Sequence, residues 1–115
     1  MDTAMILTWT TPFPGREKKA LEFGAEAEEF WGKQASAGRC TPPEWFFLPN
    51  GTGMWIIKGD RDVLEGLLAE GQGRKLLVKG GLLLQNWQWT LAETGGAAEK
   101  YLGDYSAEAG ALGIL

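Results

Sequence analysis

Asn86, Trp87, Gln88 and Trp89 alternate two side-chain amides with two indoles. An amide offers a carbonyl acceptor and two N–H donors, while an indole offers a flat apolar face and one donor. In that order they could orient the carbonyl or hydroxyl of a ligand while stacking on its ring. Thr8 and Thr10, in an early apolar run, add hydroxyls suited to the same task. Thr8, Thr10, Asn86, Gln88, Trp87 and Trp89 are therefore the candidate ligand-binding residues. The competing reading places the amides in hydrogen bonds across an interface or to water at a sheet edge. Trp9, Trp45 and Trp55 could likewise stack on a ligand or simply fill a core.

Other chemistries lack their parts. The chain has no His, which removes the usual general base, the Ser-His-Asp triad and imidazole-held zinc or haem. Cys40 is the single cysteine, so neither an intrachain disulfide nor a thiolate cluster can form. Glu44, Asp60, Asp104 and Glu108 could serve as acid or base, yet no spacing singles out a pair. Arg16 could meet an anion at a helix start. GQGRKLLVKGG has glycines and basic residues without the GK[ST] ending of a phosphate loop. No cofactor is expected: neither metal, haem nor nucleotide.

The elements that must position these residues read out in turn. Its 115 residues suit one domain. MILTWT (5–10) reads as a strand stopped by TPFPG, with Pro14 suited to a first helical turn. From Arg16 to about Ala37, Ala20, Phe23, Ala27, Phe30 and Trp31 form one stripe and the charges another. Two strand-like runs, 44–49 and 53–58, flank Asn50-Gly51, a tight-turn pair. Asp60 caps a second helix carrying Val63, Leu64, Leu67 and Leu68, which Gly71 and Gly73 break before a short piece with Leu76 and Leu77. Gly80-Gly81 then releases the chain into a last strand, LLLQNWQWTL (82–91). The order is βαββαβ, a ferredoxin-like α+β pattern, over 4–92. In the tail, 93–115, Ala98, Tyr101, Leu102, Tyr105, Ala109 and Leu112 predict one more amphipathic helix.

Alternation sorts the strand faces. The purely apolar sets are placed under the helices. Thr8, Thr10, Asn86, Gln88 and Thr90, with Glu44 and Lys58, then face the open side; the reverse parity would put Gln85, Trp87 and Trp89 there. Both faces are rich in apolar side chains, and a two-layer protomer covers only one. A homodimer is the expected solution.

MILTWT followed by TPFPGRE, the GTGMWIIKGD arm, LEGLL and QNWQW together resemble small uncharacterised proteins of the dimeric α/β-barrel superfamily. The resemblance implies a ferredoxin-like protomer whose open sheet pairs with a second copy. It also admits the superfamily's cofactor-free monooxygenases. Its haem-degrading branch uses Asn, Trp and His; Asn86 and Trp87 are present, the His ligand is not. The RNA-recognition fold shares the βαββαβ order, but GTGMWIIKGD does not fit its third-strand motif, and a net charge of −4 opposes phosphate contact. No nucleic-acid or membrane partner is expected. MDTAMILTWT has no basic n-region and no long apolar h-region, and no apolar run reaches about 18 residues, so a soluble cytoplasmic protein is expected. The functional expectation is binding of a small aromatic molecule in a cavity at the open sheet face. The rivals are a cofactor-independent monooxygenase or isomerase acting on an aromatic or polycyclic substrate, and a structural interaction module.

Overall fold

A computed structural model describes all 115 residues. Strand β1 (Thr3–Trp9) leads into helix α1 (Glu17–Ser36); β2 (Glu44–Phe47) and β3 (Gly53–Gly59) form a hairpin. Helices α2 (Arg61–Ala69) and α3 (Gly71–Leu83) follow, then β4 (Gln88–Glu93) and α4 (Gly95–Ala111). The sheet has the order β2-β3-β1-β4 with all neighbours antiparallel. This is the ferredoxin-like βαββαβ core with an added C-terminal helix. No helix is long and apolar enough to cross a membrane.

The period-2 pattern decides the faces as expected. Met5, Leu7 and Trp9 of β1, with Trp55 and Ile57 of β3, are buried against Phe23, Ala27 and Trp31 of α1 and Leu64, Leu68 and Leu76 of α2 and α3. Met5, Ile57 and Leu64 are fully enclosed. Ile6, Thr8, Met54 and Ile56 alternate onto the other face and belong to no part of this core. In the hairpin, Gly51 takes a positive φ of 87°, and Thr52 N donates to Asn50 Oδ1 at 3.0 Å. The connection runs through 48–52, and Leu48 N closes it by donating to Thr52 O.

One stretch departs from the sequence reading. The run from Leu82 was expected to be strand, released by Gly80-Gly81; instead α3 continues through both glycines to Leu83, and pairing begins at Gln88. The cause is packing. A side chain on Gly80 would overlap the indole of Trp87, so the bare backbone there is the seat of that ring. Leu84 then turns inward, bridging Pro12, and Asn86 adopts a left-handed φ of 54° that reverses the chain. The strand-face parity drawn across 82–87 does not apply, because those residues are helix end and turn. The tail helix does form, but the large residues of its stripe lie in water: Tyr101, Leu102 and Tyr105 are each about 60% exposed, while Ala109 is buried.

Candidate functional site

Between the helix layer and the sheet lies an apolar cavity of about 590 Å³. Its floor is the helix-side face of the strands, with Leu7, Trp9 and Trp55. Its roof is α1, whose Ala20, Phe23, Gly24, Ala27, Glu28 and Trp31 fall on one arc at helical spacing. Leu76 and Leu77 of α3 and Trp87 close one end, while Trp45 and Phe47 of β2 stand at the other.

The aromatic rings form a connected file. Phe30 meets Trp31, Trp31 meets Trp55 at 5.7 Å between centroids, and Trp55 meets Trp45 at 6.1 Å. Trp45 meets Trp9 at 6.2 Å, Trp9 meets Trp87 at 6.3 Å, and Trp87 ends on Phe23 at 5.8 Å. Most of these contacts are edge-on, the arrangement favoured by the negative ring face and positive ring edge. Trp45 and Phe47, two residues apart on one strand face, lie nearly parallel at 8°. Two glycines make room for this file. Gly80 seats Trp87, and Gly53 seats Trp9, whose ring occupies the position a Cβ would take.

Polar groups are few. Glu17 and Glu28, both exposed on α1, are the titratable residues of the lining. Trp45 Nε1–H donates to Glu28 Oε2 at 2.6 Å, tying β2 to α1 across the cavity edge. The indole N–H groups of Trp55 and Trp87 are buried without an acceptor. Nearby, Lys79 Nζ donates to both oxygens of Glu26 at 2.9 Å and Gln72 Nε2 donates to one at 2.6 Å, fastening α3 to α1. The Lys79 bonds, outweighing desolvation, hold the Glu26 carboxyl below its usual range. Cys40 is buried beside Gly59, and that burial pushes its thiol up, away from nucleophilic reactivity. No group of three or more potential metal ligands comes together.

The structure divides the sequence-predicted residues. Thr10 and Trp87 line the cavity. Asn86 is exposed beside it, its Nδ2 donating to Thr10 Oγ1 at 3.1 Å, while Thr10 N and Gln85 N exchange bonds with Gln85 O and Thr11 O. The amide-rich turn thus ties the β1–α1 loop to the end of α3. Thr8 and Gln88 pair on the opposite, open face, away from the cavity, and Trp89 sits on edge strand β4 at 45% exposure. The cavity therefore lies under the helices, where the sequence reading had placed one on the open face. Trp9, Trp45 and Trp55, which it weighed as stacking residues, are in the wall. Phe47, Gly24 and Glu28 were missed; Gly24 is legible only as a gap in the apolar arc of α1.

No protein-family model matches the chain, and no curated protein matches it. Among solved structures, it is similar to the crystal structure of NE2512, a protein of unknown function from Nitrosomonas europaea. The likeness has a TM-score of 0.59 at 17% sequence identity, covering 84% of this chain and 91% of that one. At that identity it is a likeness of fold.

Proposed function

We propose that this protein binds a small, mainly apolar molecule with a flat ring in the cavity between its helices and its sheet. The observation that carries the reading is the space itself. Its walls are almost wholly apolar, so 590 Å³ of unfilled pocket leaves the facing rings without the dispersion contacts of a close-packed core. Water is a poor occupant of walls with so few polar partners. A ring among Trp9, Trp45, Trp55 and Trp87 would recover the missing dispersion contacts. A carbonyl or hydroxyl reaching an orphaned indole N–H would recover about 1–3 kcal/mol more.

The βαββαβ order and an apolar open face also support placing the chain among dimeric α/β-barrel proteins, with a second copy on that face. For the rival oxygenase or isomerase chemistry, the titratable lining groups are Glu17 and Glu28, exposed at the cavity edge. Binding has the firmer geometry.

The test is titration of the protein with 2-naphthol, read by tryptophan fluorescence and by thermal unfolding. Saturable quenching at one equivalent per chain, with a melting temperature that climbs with ligand concentration, is expected. Linear, non-saturating quenching with no thermal shift would overturn the reading.

A further inference from the structure

Helix α4 packs on little of its own protomer. It touches the rest of the chain chiefly beside β4, where it begins. The radius of gyration is 16.6 Å, against about 13 Å for a compact domain of this length. Such a helix is poorly able to stand alone. It contains Gly95, Gly96, Gly103 and Gly110, the poorest helix formers after proline, and Lys100–Asp104 is its one ion pair. Isolated helices of about 15 residues are marginal in water even when rich in alanine. Ala98, Leu102, Tyr105, Ala109 and Leu112 nevertheless recur at alternating spacings of four and three, which is the seam of a helix that packs; Ala109 is already covered within its own copy, while Leu102, Tyr105 and Leu112 lie in water.

The same chain carries a surface of the complementary kind. Ile6, Met54, Ile56 and Phe46 lie on the sheet face that the core does not use, with Phe46 38% exposed. We infer that α4 is an exchanged arm: in a dimer of this chain it packs its apolar seam on the open sheet face of the other copy. Each copy has one unpartnered helix seam and one unpartnered sheet face, and a two-fold axis satisfies both pairs at once, leaving no open end. The area is sufficient. Taking roughly 200 Å² for each fully exposed large residue, Tyr101, Leu102, Tyr105 and Leu112 leave on the order of 500 Å² in water, and Ile114 and Leu115, just past the end of α4, about 300 Å² more. One partner of a standard interface contributes about 800 Å². The inference is independent of the ligand in the cavity.

Sedimentation equilibrium of the full chain at micromolar concentration tests it, with Leu102→Asp/Tyr105→Asp on the arm and Phe46→Asp on the sheet. The wild type is expected at twice the 12.5 kDa chain mass, with dissociation at least 100-fold easier in both variants. The near-ultraviolet tryptophan signal should be unchanged, since neither site touches the core. A monomeric wild type overturns the inference, as does a dimer indifferent to the arm variant. Weakening by the arm variant alone also overturns it, because α4 would then be pairing with something other than the sheet. Hydrogen exchange of the wild type gives a check that needs no variant to fold: protection of the α4 amides must rise with protein concentration, and concentration-independent protection refutes the exchange.

Discussion

Replacing Gly24 by leucine should stabilise the protein, and by more than replacing it with alanine. Gly24 is in the interior of α1 and inside the arc that roofs the cavity, and a Cβ built there meets nothing within 4 Å. Alanine gains helix propensity of about 0.8–1 kcal/mol without a clash. Leucine has nearly the same propensity and carries three more carbons into apolar space, each contributing about 0.8 kcal/mol if buried. The expected gains are about 1 kcal/mol for Gly24→Ala and about 3 kcal/mol for Gly24→Leu. For a chain of this size they correspond to roughly 4 °C and 12 °C in melting temperature. Circular dichroism during heating measures both, and the leucine variant should bind 2-naphthol at least tenfold more weakly. A leucine variant no more stable than the alanine one would refute the reasoning, since the extra carbons would then have found no apolar space to enter.

Three further outcomes follow from the packing. Glu26 has a depressed folded pKa, so its stabilisation is present above the unfolded value of about 4.3 and is lost as pH falls through the folded one. With the pair 36–47% exposed, Lys79→Met should cost at most about 1 kcal/mol near pH 7 and progressively less as pH falls through the folded Glu26 pKa in urea unfolding; a pH-independent loss would assign the effect to packing. Gly80→Ala should destabilise by about 1–3 kcal/mol through displacement of Trp87, while Gly81→Ala, whose Cβ meets Trp87 at an ordinary 3.6 Å, should be neutral or stabilising; equal effects would mean that Trp87 is not seated there. Asn86→Gly should lose only the exposed bond to Thr10, about 0.5–1 kcal/mol, since φ of 54° suits glycine, whereas Asn86→Leu should lose about 1–2 kcal/mol more in thermal melts through left-handed strain; a leucine variant no worse than the glycine one would show the turn is not held in that conformation.

The alternating and helical apolar patterns were enough to place β1, α1, the hairpin and the βαββαβ order of the elements. Phe23, Ala27 and Trp31 recur on one side of α1, and Met5, Leu7 and Trp9 alternate with Ala4, Ile6, Thr8 and Thr10. Residues 82–87 were opaque for a physical reason. Leu82-Leu83-Leu84 is an apolar run too short to carry a period, so it suits a strand or a helix end equally. What decides between them is a long-range contact, the seating of Trp87 on Gly80, which no local signal announces. The amides were assigned a ligand role from their type alone. Two of them find partners 73–76 residues away, Gln85 Nε2 donating to Pro12 O and Asn86 Nδ2 to Thr10 Oγ1. The cavity was displaced from the expected face for a related cause. Alternation tells which side chains share a face, but it does not tell how completely the rings there fill the space between sheet and helix.

Glycine and tryptophan are distributed together in this protein, and that pairing explains why a thin two-layer domain leaves a hollow. Large rings in a small core are hard to interdigitate, because each needs a flat surface to lie on. Gly53 supplies that surface to Trp9 and Gly80 supplies it to Trp87, so each ring fills the room left by an absent side chain on the opposite element. Gly24 presents the same bare backbone to the same cavity, yet no ring of the protein lies against it. The file of rings from Trp31 through Trp9 to Phe23 passes around that spot instead of over it. A flat ligand resting against Gly24 would complete the pattern with a ring of its own. That is the position at which a leucine side chain and a bound naphthol must compete.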